Sequence, residues 1–350
     1  MKYNFTFLKN ILVFILAIYT GYGQEKNKYT VRTIAFYNVE NLFDIKNDSL
    51  TRDDDRTPSG KDNWTLDRYT TKIENTTRVL SKIGSKVTNT SPDIIGLCEI
   101  ENIEVLQDLV NHPNIKNKNY GIIHFDSPDE RGIDVALLYK KDVFIPDSFN
   151  SHRLLLFNEE GYRDFTRDQL VVSGLLDSDK IHFIVNHWPS RSGGAARSKP
   201  NRLQAAKLNK RIIDSISRTE VNPKIISMGD LNDDPTDDSL KKILQTNGKK
   251  KKLEDGSLFN PMEKLYKKGV GTLAYRDKWN LFDQFYMTKS VTNSVSSSGY
   301  SFWKTGVYNP PYLLTQTGKY KGYPYRTYAG GSYAGGYSDH FPVYMYLIKK

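Results

Sequence analysis

Asn, Asp, Glu and His recur in this 350-residue chain at the ends of short apolar runs. Val31–Tyr37 leads into Asn38 and Glu40, and Ile94–Cys98 into Glu99 and Glu101. Ile181–Val185 leads into Asn186 and His187, and Lys224–Met228 into Gly229, Asp230, Leu231 and Asn232. Leu281 and Phe282 precede Asp283, while Asp339 and His340 open the last run, Val343–Ile348. One polar strand end is ordinarily a solvated end. Six together, drawn from four chemically able residue types, point to a site if they share one rim of a sheet. Glu99, Asp230, Asn232 and Asp339 offer hard oxygen ligands, which suit Mg²⁺ or Ca²⁺ and do not select zinc. His187 and His340 exchange protons near neutral pH. A divalent ion beside a phosphate neutralises charge, a carboxylate such as Asp230 orients a water, and Asn232 can hold a phosphate oxygen without adding charge. The set fits phosphoester hydrolysis better than acyl transfer. No Gly-x-Ser-x-Gly elbow, P-loop pattern or His-Glu-x-x-His helix is present.

The apolar runs have the length of buried strands, and Val135–Tyr139 adds another. Two-residue alternation places Ile34, Phe36 and Asn38 on one face. It groups Ile95, Leu97 and Glu99, then Ile181, Phe183, Val185 and His187, then Ile226, Met228 and Asp230 in the same way. Helical spacing is expected over Tyr69–Ile83, over Pro200–Ile216 with Pro200 in the first turn, and over Asp237–Gln245. The mixture is α/β, with sheets covered by helices. Asn47 to Asn63 and the Tyr/Gly-rich Tyr323 to Tyr337 are expected as loops. The run Lys249 to Lys252 is expected as a solvated loop, with a phosphate-binding patch as the less favoured reading.

At 38% hydrophobic and 26% charged residues, the composition excludes a disordered or fibrous chain. A single cysteine, Cys98, excludes a disulfide framework and a cysteine-built zinc site. Residues 1–23 carry Lys2 and Lys9, a short apolar run from Ile11 to Ile18, and small residues up to Gly23. This is a signal-peptide pattern, too short for a comfortable membrane span. The expectation is a secreted or periplasmic protein with one catalytic domain over 24–350 and no span after leader removal; an uncleaved anchor is the alternative. A net charge of +10 suits a polyanionic substrate.

The ordered motifs resemble the endonuclease/exonuclease/phosphatase superfamily of deoxyribonuclease-I-like metal-dependent phosphohydrolases. They are Ala35–Asp44, Asp93–Glu99, Arg131–Tyr139, Asn186–Arg191, Gly229–Asp233, Asp283 and Ser338–Val343, and they span nearly the whole chain after the leader. The resemblance implies a four-layer α/β sandwich of two packed, mixed and mostly antiparallel sheets flanked by helices. It implies that Asn38 and Glu99 help hold the metal, Mg²⁺ with Mn²⁺ or Ca²⁺ as alternatives, and that Asp339 adds a metal-side carboxylate. Asp230 and Asn232 would position water and phosphate, and His340, oriented by Asp283, would contact the phosphate. His187 would donate a proton to the leaving oxygen; the acidic residue that orients it in the family has no firm match, and Glu130 is the loosely aligned candidate.

Three further residues are expected to bind substrate. Arg131 is a candidate phosphate clamp. Trp188 and Arg191, on a Ser/Gly-rich loop with Arg197, could stack on a base or lipid headgroup and grip a backbone. The leading expectation is a secreted phosphodiesterase acting on nucleic acid, an endonuclease of low sequence specificity. The alternatives are a phosphoesterase acting on a lipid headgroup or small ester, and a binding protein that has lost catalysis. A lipid substrate would favour an exposed apolar hairpin, for which Tyr308 to Leu314 is the candidate edge.

Overall fold

The computed structural model describes residues 29–296 and 299–350; the expected leader, residues 1–23, lies outside the described residues. Strands β1 (Thr30–Leu42), β2 (Ile94–Ile100), β3 (Tyr120–His124) and β4 (Asp134–Lys140) open the chain. Next come β5 (Phe144–His152), β6 (Gln169–Leu176), β7 (Asp179–His187) and β8 (Ile225–Asp230). The last are β9 (Thr246–Asn247), β10 (Leu258–Phe259), β11 (Asp283–Met287), β12 (Ser301–Val307) and β13 (Val343–Lys349). They form a six-stranded sheet in the order β12-β13-β1-β2-β4-β3 and a seven-stranded sheet in the order β9-β10-β11-β8-β7-β6-β5. At the centre of each lies a parallel pair, β1 with β2 and β7 with β8, flanked by antiparallel partners.

The two inner faces pack Ile34, Phe36 and Cys98 against Phe183, Val185, Met228 and Phe285. Helices α1 (Leu66–Leu80) and α2 (Ile103–Asn111) cover the outer face of the first sheet through Tyr37, Ile95 and Leu97. Helix α3 (Ala195–Thr219) covers Ile184, Ile225 and Tyr286 of the second. The result is the four-layer α/β sandwich that the resemblance implied.

Three local expectations are corrected, and one strand was not expected. Ile95 and Leu97 face the helices, but Glu99 does not share their face. The β2 ladder slips between Cys98 and Ile100, and Glu99 takes a left-handed φ of 63°, which reverses the alternation. Helix α3 starts at Ala195, so Pro200 lies inside it; Ser198 Oγ donates to Gly194 O, and Arg202 Nη2 to Ala195 O, over this first stretch. The expected helix Asp237–Gln245 is one π-helical turn, Ser239–Ile243. Strand β5, Pro-containing and largely exposed, is an edge strand that no apolar run announces.

The glycine before Asp230 is dictated by close packing. A Cβ on Gly229 would lie 2.4 Å from the carbonyl oxygen of Asn186, its partner on β7. Gly229→Ala is therefore expected to lower stability by about 2 kcal/mol, in the range of overpacking. Urea unfolding at equilibrium measures this, and a midpoint unchanged from wild type would contradict it.

Candidate active site

Strand register brings the chemistry to one rim. Asp230 lies opposite His187 on one side and Asp283 on the other, at the C-terminal ends of β7 and β8 and the start of β11. In the facing sheet Asn38 lies opposite Cys98 where β1 and β2 end. His340 enters from the turn before β13, which runs antiparallel to β1. Ser338 fixes that turn: its Oγ donates to Asn38 O at 2.7 Å and accepts from His340 N at 3.0 Å.

Asp230 is the meeting point. Its Oδ1 accepts the Asn232 N–H at 2.9 Å, and its Oδ2 accepts Asn38 Nδ2 at 3.1 Å. His187 Nε2 and His340 Nε2 each approach that Oδ2 to 3.8 Å. Asn38 Nδ2 also reaches Glu99 Oε1 at 3.3 Å, and Asn41 N–H holds Glu99 Oε2 at 2.9 Å. His340 Nδ1 is bonded to Asp283 Oδ2 at 2.7 Å. Asn232, at a left-handed φ of 49°, donates its amide to Trp188 O at 3.1 Å. Among the described residues, ligand atoms of Asp230, Asp283 and His340 lie within 4.8 Å of one another. His124, Asp126 and Asp134 form a second such group, in which Asp134 already accepts from Ser127.

Burial and charge divide the titratable groups into opposite states. Burial opposes a charge on His340, but the carboxylates of Asp283 and Asp230 outweigh it and hold the imidazole protonated well above its ordinary range. Burial, with the positive charges of Arg167, Arg131 and His340, keeps His187 neutral. Burial raises Asp230 to about 6; the His340 charge works against that rise and the Asp283 charge adds to it. Burial would raise Glu99 too, but Arg131, His340 and the amides of Asn38 and Asn41 hold it below its ordinary value.

Several expected residues sit differently from expectation. Asn38 presents its NH₂ to Glu99 and Asp230 while its Oδ1 accepts the Glu40 N–H at 2.9 Å. Trp188 is 1% exposed, packed under α3, so it stacks on no substrate. Arg191 is turned inward: it donates to Asn232 O at 2.8 Å and Asp237 Oδ2 at 2.7 Å, with its guanidinium over the Phe282 ring. Glu130 pairs with Arg52 at 2.6 Å, and His187 Nδ1 has no hydrogen-bond partner among the described residues. Arg131 stays half-exposed beside Asp129, close enough for its charge to act on Glu99 and His187. Asp339 stands apart from the Asp230 cluster and accepts Arg326 Nη2 at 2.9 Å.

Two residues take parts that the sequence did not assign to them. Glu40 is buried and takes Arg326 Nε at 3.2 Å and Thr327 N at 2.6 Å, which ties the Tyr/Gly-rich loop to the rim. Lys72 of α1, fully buried, anchors the same loop at Thr327 Oγ1 and Tyr337 O. A cavity of about 1020 Å³ beside the end of β2 is lined by acids, Asp44, Glu101, Asp129 and Asp134 among them.

This geometry agrees with comparison to known proteins. The model of the Endonuclease/Exonuclease/phosphatase family matches residues 33–349. The chain belongs to that family, whose members are metal-dependent phosphoric ester hydrolases. An endonuclease/exonuclease/phosphatase family protein from Bacteroides thetaiotaomicron aligns at 19% identity and TM-score 0.55, over 92% of this chain and 96% of that one. TDP2 from D. rerio, complexed with single strand DNA product, aligns at 13% and 0.54, over 92% and 100%. A mannosyl-6-phosphatase from B. thetaiotaomicron aligns at 18% and 0.53, over 90% and 99%. These likenesses show a shared fold. No curated protein sequence matches the chain.

The His340 charge carries a pH signature. A group whose folded pKa is raised lends its full stability below its unfolded value, about 6.5, and loses it as pH rises through the folded value. With chelator present, the stability gap between wild type and His340→Gln is expected to hold below about pH 6.5 and to shrink as pH rises above it. Urea unfolding on either side of that pH measures it; a gap that widens with pH would contradict the assignment.

Proposed function

We propose that the chain is a divalent-metal-dependent phosphodiesterase that hydrolyses nucleic acid with little sequence preference, and that it acts after export by its leader. The observation that carries the reading is the surroundings of Asp230: one carboxylate shared by Asn38, His187 and a protonated His340, beside an ionised Glu99. An ionised, oxygen-only donor set suits Mg²⁺, with Mn²⁺ or Ca²⁺ as alternatives. Glu99 would hold the ion, with Asp339 on the same side, while Asn38 orients Glu99 through its amide. When bound, the ion neutralises phosphate charge and polarises the phosphoryl group.

The chain's own groups account for the remaining steps. Asp230 takes a proton from the attacking water as the new oxygen–phosphorus bond forms and the bond to the leaving oxygen breaks. The His340 imidazolium, held by Asp283, faces the phosphoryl oxygens and stabilises the charge that builds on them. His187, kept neutral, steadies the departing oxygen with an N–H hydrogen bond, and that oxygen takes its proton from solvent water. Asn232 keeps the turn after β8 in place, and Arg131 offers a half-exposed guanidinium to a neighbouring phosphate. The basic charge and the fold shared with a DNA-bound neighbour support nucleic acid as the substrate.

A second reading, a lipid headgroup, rests on one observation. The hairpin of Leu156–Phe157 and Arg163–Asp164 leaves Leu155, Phe157, Tyr162 and Phe165 exposed. The expected edge, Tyr308 to Leu314, is instead packed into the core around a buried Leu313.

Hydrolysis of supercoiled plasmid, RNA, sphingomyelin and a bis-phosphodiester, each with Mg²⁺ and with chelator, distinguishes these. The expected result is Mg²⁺-dependent nicking of plasmid that falls about 1000-fold in Asp230→Ala and in His340→Ala. Cleavage confined to sphingomyelin or the small ester would overturn the nucleic-acid reading, and metal-independent cleavage would overturn the site.

A further inference from the structure

The four-lysine run at Lys249 to Lys252 does more than dissolve in solvent. Lys250 comes down onto two rings, its Nζ 5.7 Å from the Phe259 centroid and 4.9 Å from that of Phe302, and donates to Phe302 O at 3.3 Å. It lines a cleft of about 390 Å³ with Lys264, Lys268, Trp303 and Lys304. None of these four lysines makes an ion pair with a carboxylate among the described residues. Glu263, next to Lys264, is already shared by Lys241 and Lys267. Four uncompensated ammonium groups around one small cavity repel one another, and burial weakens the hold of Lys250 on its proton. A bound polyanion relieves both.

The cleft also has an aromatic platform. The β12 ladder slips between Phe302 and Lys304, so that two consecutive residues, Trp303 and Lys304, are both exposed. Trp303 is 44% exposed, and Lys304 Nζ caps its ring at 4.1 Å from the centroid. A base that stacks on the indole displaces this ammonium toward the neighbouring phosphate. A basic groove with an exposed aromatic is the pattern by which proteins hold single strands without reading sequence. A sulfated glycan would use the lysines and leave the indole idle.

One strand pair links the cleft to the rim. Val307 lies opposite Val343, three residues beyond His340, and Lys304 lies opposite Tyr346. The separation is about 20 Å along the strands. The acid-lined cavity at the end of β2 repels a polyanion, whereas the lysine-lined cleft attracts one.

The geometry points to a second binding site in this cleft, for the single-stranded part of a nucleic-acid substrate, outside the catalytic rim. The assignment rests on the nucleic-acid reading above. Its test is fluorescence anisotropy of a labelled oligothymidylate with the full chain in chelator, which separates binding from hydrolysis. The variants are Trp303→Ala and the combined Lys264→Ser, Lys268→Ser and Lys304→Ser.

The lysine variant is expected to weaken binding at least about tenfold and to flatten the dependence of log affinity on log salt by about 2, for three phosphates. Trp303→Ala is expected to weaken binding several-fold with the slope unchanged. Both should keep wild-type urea midpoints and wild-type hydrolysis of a bis-phosphodiester. Unchanged oligonucleotide binding in both variants would overturn the assignment. So would heparin binding that falls with the lysines while Trp303→Ala has no effect on the oligonucleotide. Oligonucleotide binding that depends on the cleft, with no nucleic acid cleaved, would sink the hydrolysis reading and leave the cleft standing.

Discussion

Asp230 and Asp283 are carboxylates with almost no contact with solvent, set opposite one another on adjacent strands, and a single imidazolium lies between them. Burial and the Asp283 charge both push Asp230 toward its protonated form. The His340 charge works against that push: it bonds Asp283 directly and lowers the cost of ionising Asp230. The same charge helps keep His187 neutral and Glu99 ionised. A carboxylate that can accept a proton near neutral pH, a fixed cation and an ionised oxygen ligand therefore follow from one arrangement.

Backbone geometry places those groups, and it departs from regular strand wherever chemistry is needed. The parallel pairs β1–β2 and β7–β8 end at the same rim and deliver Asn38, Glu99, His187 and Asp230 together. Beyond Asn38 and Cys98 the ladders slip, and Glu40, Asn41 and Glu99 adopt left-handed φ values that cost side-chain-bearing residues energy. The compensation is visible in the hydrogen bonds. Asn41 N–H holds Glu99, and Glu40, freed from the sheet, fastens Arg326 and Thr327. Lys72 pins the other side of that loop from within α1, so the Tyr/Gly-rich segment is secured at both the rim and the helix layer.

Much of this was legible in the residues. The alternation that put Asn38, His187 and Asp230 on the inner face is obeyed because those strands stay regular as far as these residues. It fails at Glu99, where a bulge turns the side chain, and no periodicity signals a bulge. Trp188 and Arg191 misled because a large aromatic and an arginine beside a histidine suit a core or a site equally. Here α3 closes over the indole, and the carboxylates of Asp233 and Asp237 claim the guanidinium. Arg326 had no motif to announce it, since its partners Glu40 and Asp339 come from distant parts of the chain. Lys250 was legible only as part of a charge run and Trp303 not at all, because their cleft forms between the edges of two sheets.

The central claim is that this rim assembles a divalent-ion site around Glu99, oriented by Asn38 and set beside Asp230. Mn²⁺ titration followed by electron paramagnetic resonance tests it without any choice of substrate. The account predicts saturable binding in wild type that is lost in Glu99→Gln, with the urea midpoint of that variant close to wild type. Saturable Mn²⁺ binding of wild-type affinity in Glu99→Gln would contradict it.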